Sequence, residues 1–498
     1  MTDKLNEIFC IYTDAVRSKM QKRREELNTK GPLRLFVNKA VGLRTMVDEL
    51  ESGDEFHQLT LETRSSFHGN YHGNNEGAWQ LAIKNFFCRS AYYADILEGN
   101  IVSIEAPFHN YCEAFQRREI QVNYLAPMEF VKFAERTMDF GTFHIRRFSS
   151  DELSTIFQNT INEVFYPWAV VDVKQLQNYW FLHLIESAQA PKLGWIHVNL
   201  NDIDRVGIEY TEHSKTVEFA LQQLALFDWQ ADWWKKRSGH GHEKQDKDLE
   251  KGWLGFGIPF VLRVDDNLLD SPRPVPDISK LETEPLIDAQ TGEEIGEVPA
   301  VYIHLNKSET DSFKAFIKRA GNLLTSLRAK QNGWQFLEVA LGNFIKAFFS
   351  EGMEQMLWHI TALEALLGER GEGVTDRMAR RIASILGKNK NERKAIRKQF
   401  KELYVFRSDL VHGNPFQKQT YVGHLRDARN LSRRVLLWFL HYLCKIRAGI
   451  PFNHATENIP TREDMITLLD LDQNSRKHIR RLIDILPSEF PYVSEWVE

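Results

Sequence analysis

Arg407 and His412 are the two residues whose types and spacing could do chemistry together. Arginine stays protonated, so it binds phosphate or stabilises developing negative charge. Histidine gives and takes protons near neutral pH. RNA carries its own nucleophile, the 2′-OH beside each phosphate. An arginine that holds the phosphate and a histidine that moves the proton therefore suffice in principle to cut RNA without a metal. The products would be a 2′,3′-cyclic phosphate and a 5′-hydroxyl. Spacing alone is a weak signal. With 34 Arg and 17 His in 498 residues, about one Arg-x4-His pair is expected by chance. A second such pair, Arg237 and His242, sits in the polar run RSGHGH, so context has to separate the two.

The elements that must position Arg407 and His412 lie in NERKAIRKQFKELYVFRSDLVHGNPF, residues 391–416. Ile396, Phe400, Leu403, Arg407 and Leu410 recur at steps of three and four, which predicts one face of a helix. A guanidinium on that apolar stripe is costly unless paired or used. Gly413-Asn414-Pro415 is a strong helix stop. On a continuous helix, five residues turn through about 140° and would aim Arg407 and His412 apart. A helix that ends near Leu410 would let the histidine swing back beside the arginine. Asp409 is placed to orient one of the two, and Ser408 follows the arginine with a short side chain. Upstream, a helix over Met353 to Leu367 places residues 353, 357, 360, 364 and 367 on one stripe, so Glu364 is an acid in an apolar row. Arg381 is its expected partner and Arg407 the other candidate. A structural ion pair is favoured for Glu364 over a direct catalytic role.

LWHITALEALLG (357–368), VTDRMARRIASILG (374–387) and LYVFRSDLVHGN (403–414), in this order and separation, resemble the ApeA-like HEPN domain. The resemblance covers roughly residues 305–450. It implies an all-α HEPN bundle and a metal-independent endoribonuclease with no cofactor. It further implies RNA as substrate, a homodimer that brings two motifs to one cleft, and a role in bacterial anti-phage defence by abortive infection. Residues 1–300 would then sense or regulate, with a phage-derived trigger as one candidate stimulus. HEPN motifs often carry a larger polar residue where Ser408 stands. Two other classes stay open: a non-cleaving nucleotide or RNA binder, and a helical dimerisation module in which Arg407 is a structural ion pair.

Composition is that of ordinary soluble protein, 43% hydrophobic and 26% charged. No run of about 18 apolar residues suggests a membrane span, and the charged start MTDKLNEIFC lacks a signal core, so a cytoplasmic location is expected. The net charge of −5 hides an asymmetry. Residues 369–412 hold twelve Lys/Arg and six Asp/Glu, a local excess of +6 within a chain that is −11 elsewhere. That excess fits a phosphate-facing surface or the solvated face of a helix. Cys10, Cys88, Cys112 and Cys444 lack CxxC spacing and fit reduced core thiols.

The expected fold class is α+β, a mixed N-terminal region before an all-α bundle. The expected divisions are 1–140, 141–300, 301–450 and a helical extension over 451–498. Residues 1–50 read as helical up to the break at Gly31-Pro32. FHGNYHGNN, within 55–75, reads as a polar loop, and His57, His68 and His72 lack a metal-site pattern. Residues 101–146 read as strands (IVSIEAPF, EIQVNYL, GTFHIRRF). Ser149 and Glu152 form a capping-box pattern that starts a helix through about Phe165. Residues 174–188 read as a helix, 193–210 as two strands and 216–236 as a long helix. Trp229, Trp233 and Trp234 on that helix are expected as core or interface anchors rather than base platforms. His240 and His242 are not favoured as metal ligands. The five prolines of 265–300 mark a linker. Helices are expected over 310–330, 334–349, 421–447 and 462–486. Arg434 and His441, seven apart, are expected to be structural.

Overall fold

A computed structural model describes residues 3–26, 51–67, 76–90, 92, 105–157, 172–190, 214–229, 256–270, 278, 281–288, 290–328, 335–350, 353–413, 418–447 and 461–470. The fold is α+β, with a small sheet in the N-terminal half and a helical C-terminal region. The elements, in chain order, are α1 (Asp3–Glu26), α2 (Asp54–Phe67), α3 (Glu76–Arg89), α4 (Glu105–Gln116), β1 (Glu119–Met128), β2 (Phe130–Phe133), β3 (Thr137–Asp139) and β4 (His144–Arg146). There follow α5 (Ser150–Phe157), α6 (Val173–Leu176), β5 (Trp180–Gln189), α7 (Lys215–Leu226), β6 (Leu262–Asp265), β7 (Thr283–Ile287), β8 (Glu294–Pro299) and β9 (Val301–Leu305). The C-terminal part is helical: α8 (Lys307–Arg328), α9 (Gln335–Phe349), α10 (Met353–Leu367), α11 (Val374–Leu386), α12 (Lys390–Val411), α13 (Lys418–Arg447) and α14 (Arg462–Asp470). The chain divides into two compact units, one from residues 1–127, 145–209 and 260–299, the other from 128–144, 210–259 and 300–498.

In the first unit, α1 to α4 enclose an aromatic core that includes Phe9, Tyr12, Trp79, Phe86, Tyr111 and Phe115. Residues 54–67 form a helix because Phe56, Leu59, Thr63 and Phe67 bury one face at helical spacing; of FHGNYHGNN only Phe67, the last residue of that helix, is described. One stretch departs from expectation here. Of the expected strand IVSIEAPF, residues 105–108 instead open α4, where Pro107 falls in the first turn and so leaves no helical donor missing. Buried Arg89 donates to the carbonyls of Asp265, Asn267 and Asp270, which ties the turn after β6 to α3. Strands β4, β5, β1 and β6 are neighbours in that order, and β1 and β6 run antiparallel.

Ser149 and Glu152 close their capping box reciprocally: the Ser149 amide donates to Oε2 at 2.7 Å and the Glu152 amide donates to Oγ at 3.3 Å. The helix expected over 174–188 is instead the short α6 followed by strand β5. Trp180 to Leu184 are all buried, and the next five residues alternate in exposure, which is strand periodicity. The proline-rich stretch 265–300 carries a hairpin, β7–β8. Asp288 Oδ1 accepts from the amides of Gln290 (2.7 Å) and Thr291 (2.9 Å), and Gly292 takes φ +72° to close the turn.

The second unit holds the parallel pair β2–β9 and helices α8 to α14. Helix α9 packs on α10, α10 on α13, α11 on α12, and α14 on α11. Trp229 is a core anchor, donating from Nε1 to the Leu224 carbonyl at 2.7 Å. His441 is buried. Arg237, His240, His242, Trp233, Trp234, His68 and His72 lie outside the described residues, as do the strands expected over 193–210.

The stripe of α10 is offset from the one expected. Met356, His359, Ile360, Leu363, Leu366 and Leu367 are buried, whereas Met353 is exposed and Glu364 half-buried. A histidine, His359, sits in the core in place of an apolar residue. The Nε of buried Arg429 lies 3.5 Å from its Nε2, and its Nδ1 is 3.1 Å from Ser432 Oγ, which in turn donates to the Arg429 carbonyl. Burial first, and the Arg429 charge second, push the His359 pKa well below its usual value. The unfolded chain therefore binds a proton below about pH 6.5 that the folded chain refuses, and stability falls as pH drops through that value. His359→Phe is expected to flatten the loss of melting temperature between pH 7 and 5. An unchanged slope would place the acid sensitivity elsewhere.

Candidate functional site

Helix α12 begins with Asn389, whose Oδ1 accepts from the Glu392 amide at 3.0 Å, while the Glu392 carboxylate accepts from the Lys388 amide at 2.7 Å. Ile396, Phe400, Leu403 and Leu410 are buried as the stripe requires, and Phe406 joins them. Arg407 lies at the edge of this face and is half-buried rather than enclosed. The helix runs through Val411, and the His412 amide still donates to the Ser408 carbonyl at 3.0 Å. Gly413 ends it with φ +71°, its amide donating a hydrogen bond to the Leu410 carbonyl at 3.2 Å.

This end corrects the expected swing of His412 towards Arg407. Because His412 keeps its helical bond, the five residues do turn through about 140°. His412 is exposed on the outward side with Val405, which is 60% exposed, while Arg407 lies near the core-facing side. No hydrogen bond or ion pair among the described residues joins the two. Ser408 and Asp409 are half-buried between them.

Arg407 is held from below. Its guanidinium lies 5.7 Å from the centroid of the Tyr404 ring, one turn earlier on α12. The Tyr404 hydroxyl donates to Glu364 Oε1 at 2.9 Å. Burial, then the Glu364 carboxylate, raise the Tyr404 pKa against the opposing Arg407 charge, so the phenol remains a donor at neutral pH. Among the described residues, Glu364 thus meets Arg407 through Tyr404.

Arg381 is not the partner of Glu364, contrary to expectation. It is 1% exposed and bonds Asp470 through Nε and Nη2, Glu369 Oε2 at 2.6 Å and the Leu367 carbonyl at 2.7 Å. Burial opposes its charge, but the bonds to Asp470 and Glu369 outweigh that and raise its pKa. Asp470 comes from α14, far along the chain, and local pattern reading had no access to it. The same helix supplies Arg462, whose guanidinium donates to the carbonyls of Glu364, Ala365 and Gly368 and so caps the C-terminus of α10. Gly368 is required there, since a Cβ would stand 2.6 Å from the Glu364 carbonyl oxygen.

Where α10, α11, α12 and α14 meet, a cleft of about 880 Å³ opens, lined in part by Glu364, Arg370, Val374, Arg377, Tyr404 and Glu463. Sequence reading singled out Glu364 but missed Tyr404 and the other cleft residues. The one available signal was the i, i+3 spacing of Tyr404 and Arg407.

Among the described residues no three His, Cys, Asp or Glu side chains group as metal ligands. His57 instead lies 3.2 Å from Glu76. Cys10, Cys88 and Cys112 are free thiols, and burial raises the Cys112 pKa to about 11. No helix among the described residues is long and apolar enough to cross a membrane. No protein-family model, curated protein or solved structure matches the chain.

Proposed function

We propose that the chain is a metal-independent endoribonuclease of the HEPN type that acts as a cytoplasmic homodimer in anti-phage defence. The observation that carries this reading is the exposed His412 at the end of α12, on the same helix as an Arg407 propped on Tyr404. Arg407 would hold the scissile phosphate with its two-pronged donor. One His412 would take the proton of the 2′-OH, the freed oxygen would attack phosphorus, and a second His412 would give a proton to the departing 5′-oxygen. The 140° divergence within one chain supports a shared site, because two copies of α12 set face to face could bring the arginine of one to the histidine of the other. Val405 and Val411, 60% and 54% exposed, flank His412 and suit such an interface. The role in defence, and a sensing role for residues 1–300, rest on the family resemblance alone. A lone chain with this geometry would hold phosphate without an acid and base in reach, which is the second reading, a non-cleaving RNA binder.

The test is RNA cleavage by the purified full-length chain in EDTA, followed by mixing Arg407→Ala and His412→Ala subunits. Activity is expected to survive chelation, and the mixture to recover part of what each variant lacks. Full loss in EDTA restored by one divalent ion, or full activity of a strictly monomeric protein, would overturn the reading.

A further inference from the structure

The cleft beside Tyr404 carries exposed charge of both signs, and the Glu463 carboxylate supports the charge of Arg462 beside it. Arg462 is committed to three carbonyls, Glu369 to Arg381, and one nitrogen of Arg377 to the Glu372 carbonyl at 2.7 Å. The guanidinium of Arg370 and the carboxylate of Glu463 make no hydrogen bond or ion pair among the described residues, and both are exposed to the cleft. Glu364 receives Tyr404 on Oε1 only, which leaves Oε2 as an acceptor. The cleft therefore presents free donors at Arg370, free acceptors at Glu364 and Glu463, and an apolar wall from Val374 and the Tyr404 ring.

A ligand complementary to that arrangement has an anionic group, a flat apolar body and adjacent N–H donors. Among RNA components, the guanosine nucleotide fits best. Its phosphate suits a guanidinium, its base has a face that aromatic and apolar side chains accept, and guanine alone among the four bases offers two adjacent N–H donors to a carboxylate. A volume of about 880 Å³ is ample for one nucleotide. The position also matters. Tyr404 lines the cleft and at the same time carries Arg407 on its ring, so a nucleotide seated there leads its strand directly to the phosphate-holding arginine.

We propose that the cleft between α10, α11, α12 and α14 is a guanosine-nucleotide subsite that seats the residue next to the scissile phosphate. The proposal rests on the ribonuclease reading for its link to cleavage, but not for binding itself. Selectivity follows because guanine offers the carboxylates two adjacent N–H donors where uracil offers one.

The test is calorimetric titration of the full-length protein with 5′-GMP, 5′-UMP and inorganic phosphate, in wild type, Arg370→Ala, Glu463→Gln and His412→Ala. GMP is expected to bind at least about ten-fold tighter than UMP, the scale of one hydrogen bond to a charged group. Arg370→Ala should weaken both nucleotides about ten-fold, Glu463→Gln should narrow the preference for GMP, and His412→Ala should leave it intact. Both cleft substitutions are at exposed positions, so melting should stay near wild type and folding loss would not mimic the result. GMP that binds no tighter than UMP or phosphate, or that ignores Arg370→Ala, overturns the subsite. Binding as expected without any RNA cleavage overturns the ribonuclease reading and leaves the subsite standing. His412-dependent cleavage with no bias towards guanosine does the reverse.

Discussion

His412→Ala is expected to lower RNA cleavage by about 10²- to 10⁴-fold, the usual worth of a positioned proton-transfer group, while the protein melts within about 1 °C of wild type. The two halves of that expectation have separate causes. The imidazole is exposed, and His412 contributes to the end of α12 through its backbone amide, which alanine also has. Exposed substitutions of this kind usually cost no more than about 0.5 kcal/mol. RNA binding should change little, because the proposed phosphate holder, Arg407, is untouched. Arg407→Lys is the companion variant. It keeps the charge, but a lysine ammonium lacks the planar fork that matches two phosphate oxygens and fits less well over the Tyr404 ring. Its loss of cleavage should approach that of Arg407→Ala with the fold intact. Binding, cleavage and melting measured side by side decide the matter. A His412→Ala protein that melts far below wild type, with cleavage falling only in proportion to the folded fraction, would make the residue structural.

What could be read from the sequence depended on how local the cause was. Helix α12 was legible because its buried positions recur within single turns and a glycine, Gly413, follows its end. The Ser149–Glu152 box was legible because the cap is complete within four residues. The stripe of α10 was misplaced because one of its core residues is His359, a type that pattern reading counts as polar. That displacement put Glu364 on a buried row and invited a direct ion pair with Arg381 that does not form. Tyr404 was passed over because an aromatic beside Leu403 and Phe406 reads as core, yet its hydroxyl joins Glu364 to the helix that carries Arg407. The true partner of Arg381 lies 89 residues away on α14, and such pairing is decided by tertiary packing alone.

Asp470→Ala is expected to destabilise the second unit by about 3 kcal/mol, the low end for removing one partner of a buried ion pair because the Asp470 side chain keeps some contact with water. Arg381 is 1% exposed, so without Asp470 its charge stays in the core with only Glu369 and the Leu367 carbonyl to satisfy it. Arg381→Met should cost less, although it deletes the centre of the same network. Methionine fills a similar volume without charge, and the carboxylates it abandons are the more exposed partners, at 42% for Glu369 and 31% for Asp470. The double variant should therefore be more stable than Asp470→Ala alone, a coupling that separates the cost of a stranded charge from the worth of the bond. The readout is thermal melting together with proteolysis within α14, since Asp470 fastens that helix to Arg381 on α11 and Arg462 fastens it to the end of α10. Because α14 also brings Glu463 to the cleft, loosening it should weaken GMP binding in Asp470→Ala more than in the double variant. Strict additivity of the two substitutions in melting would show that Arg381 and Asp470 act independently and that the buried charge is balanced by other groups.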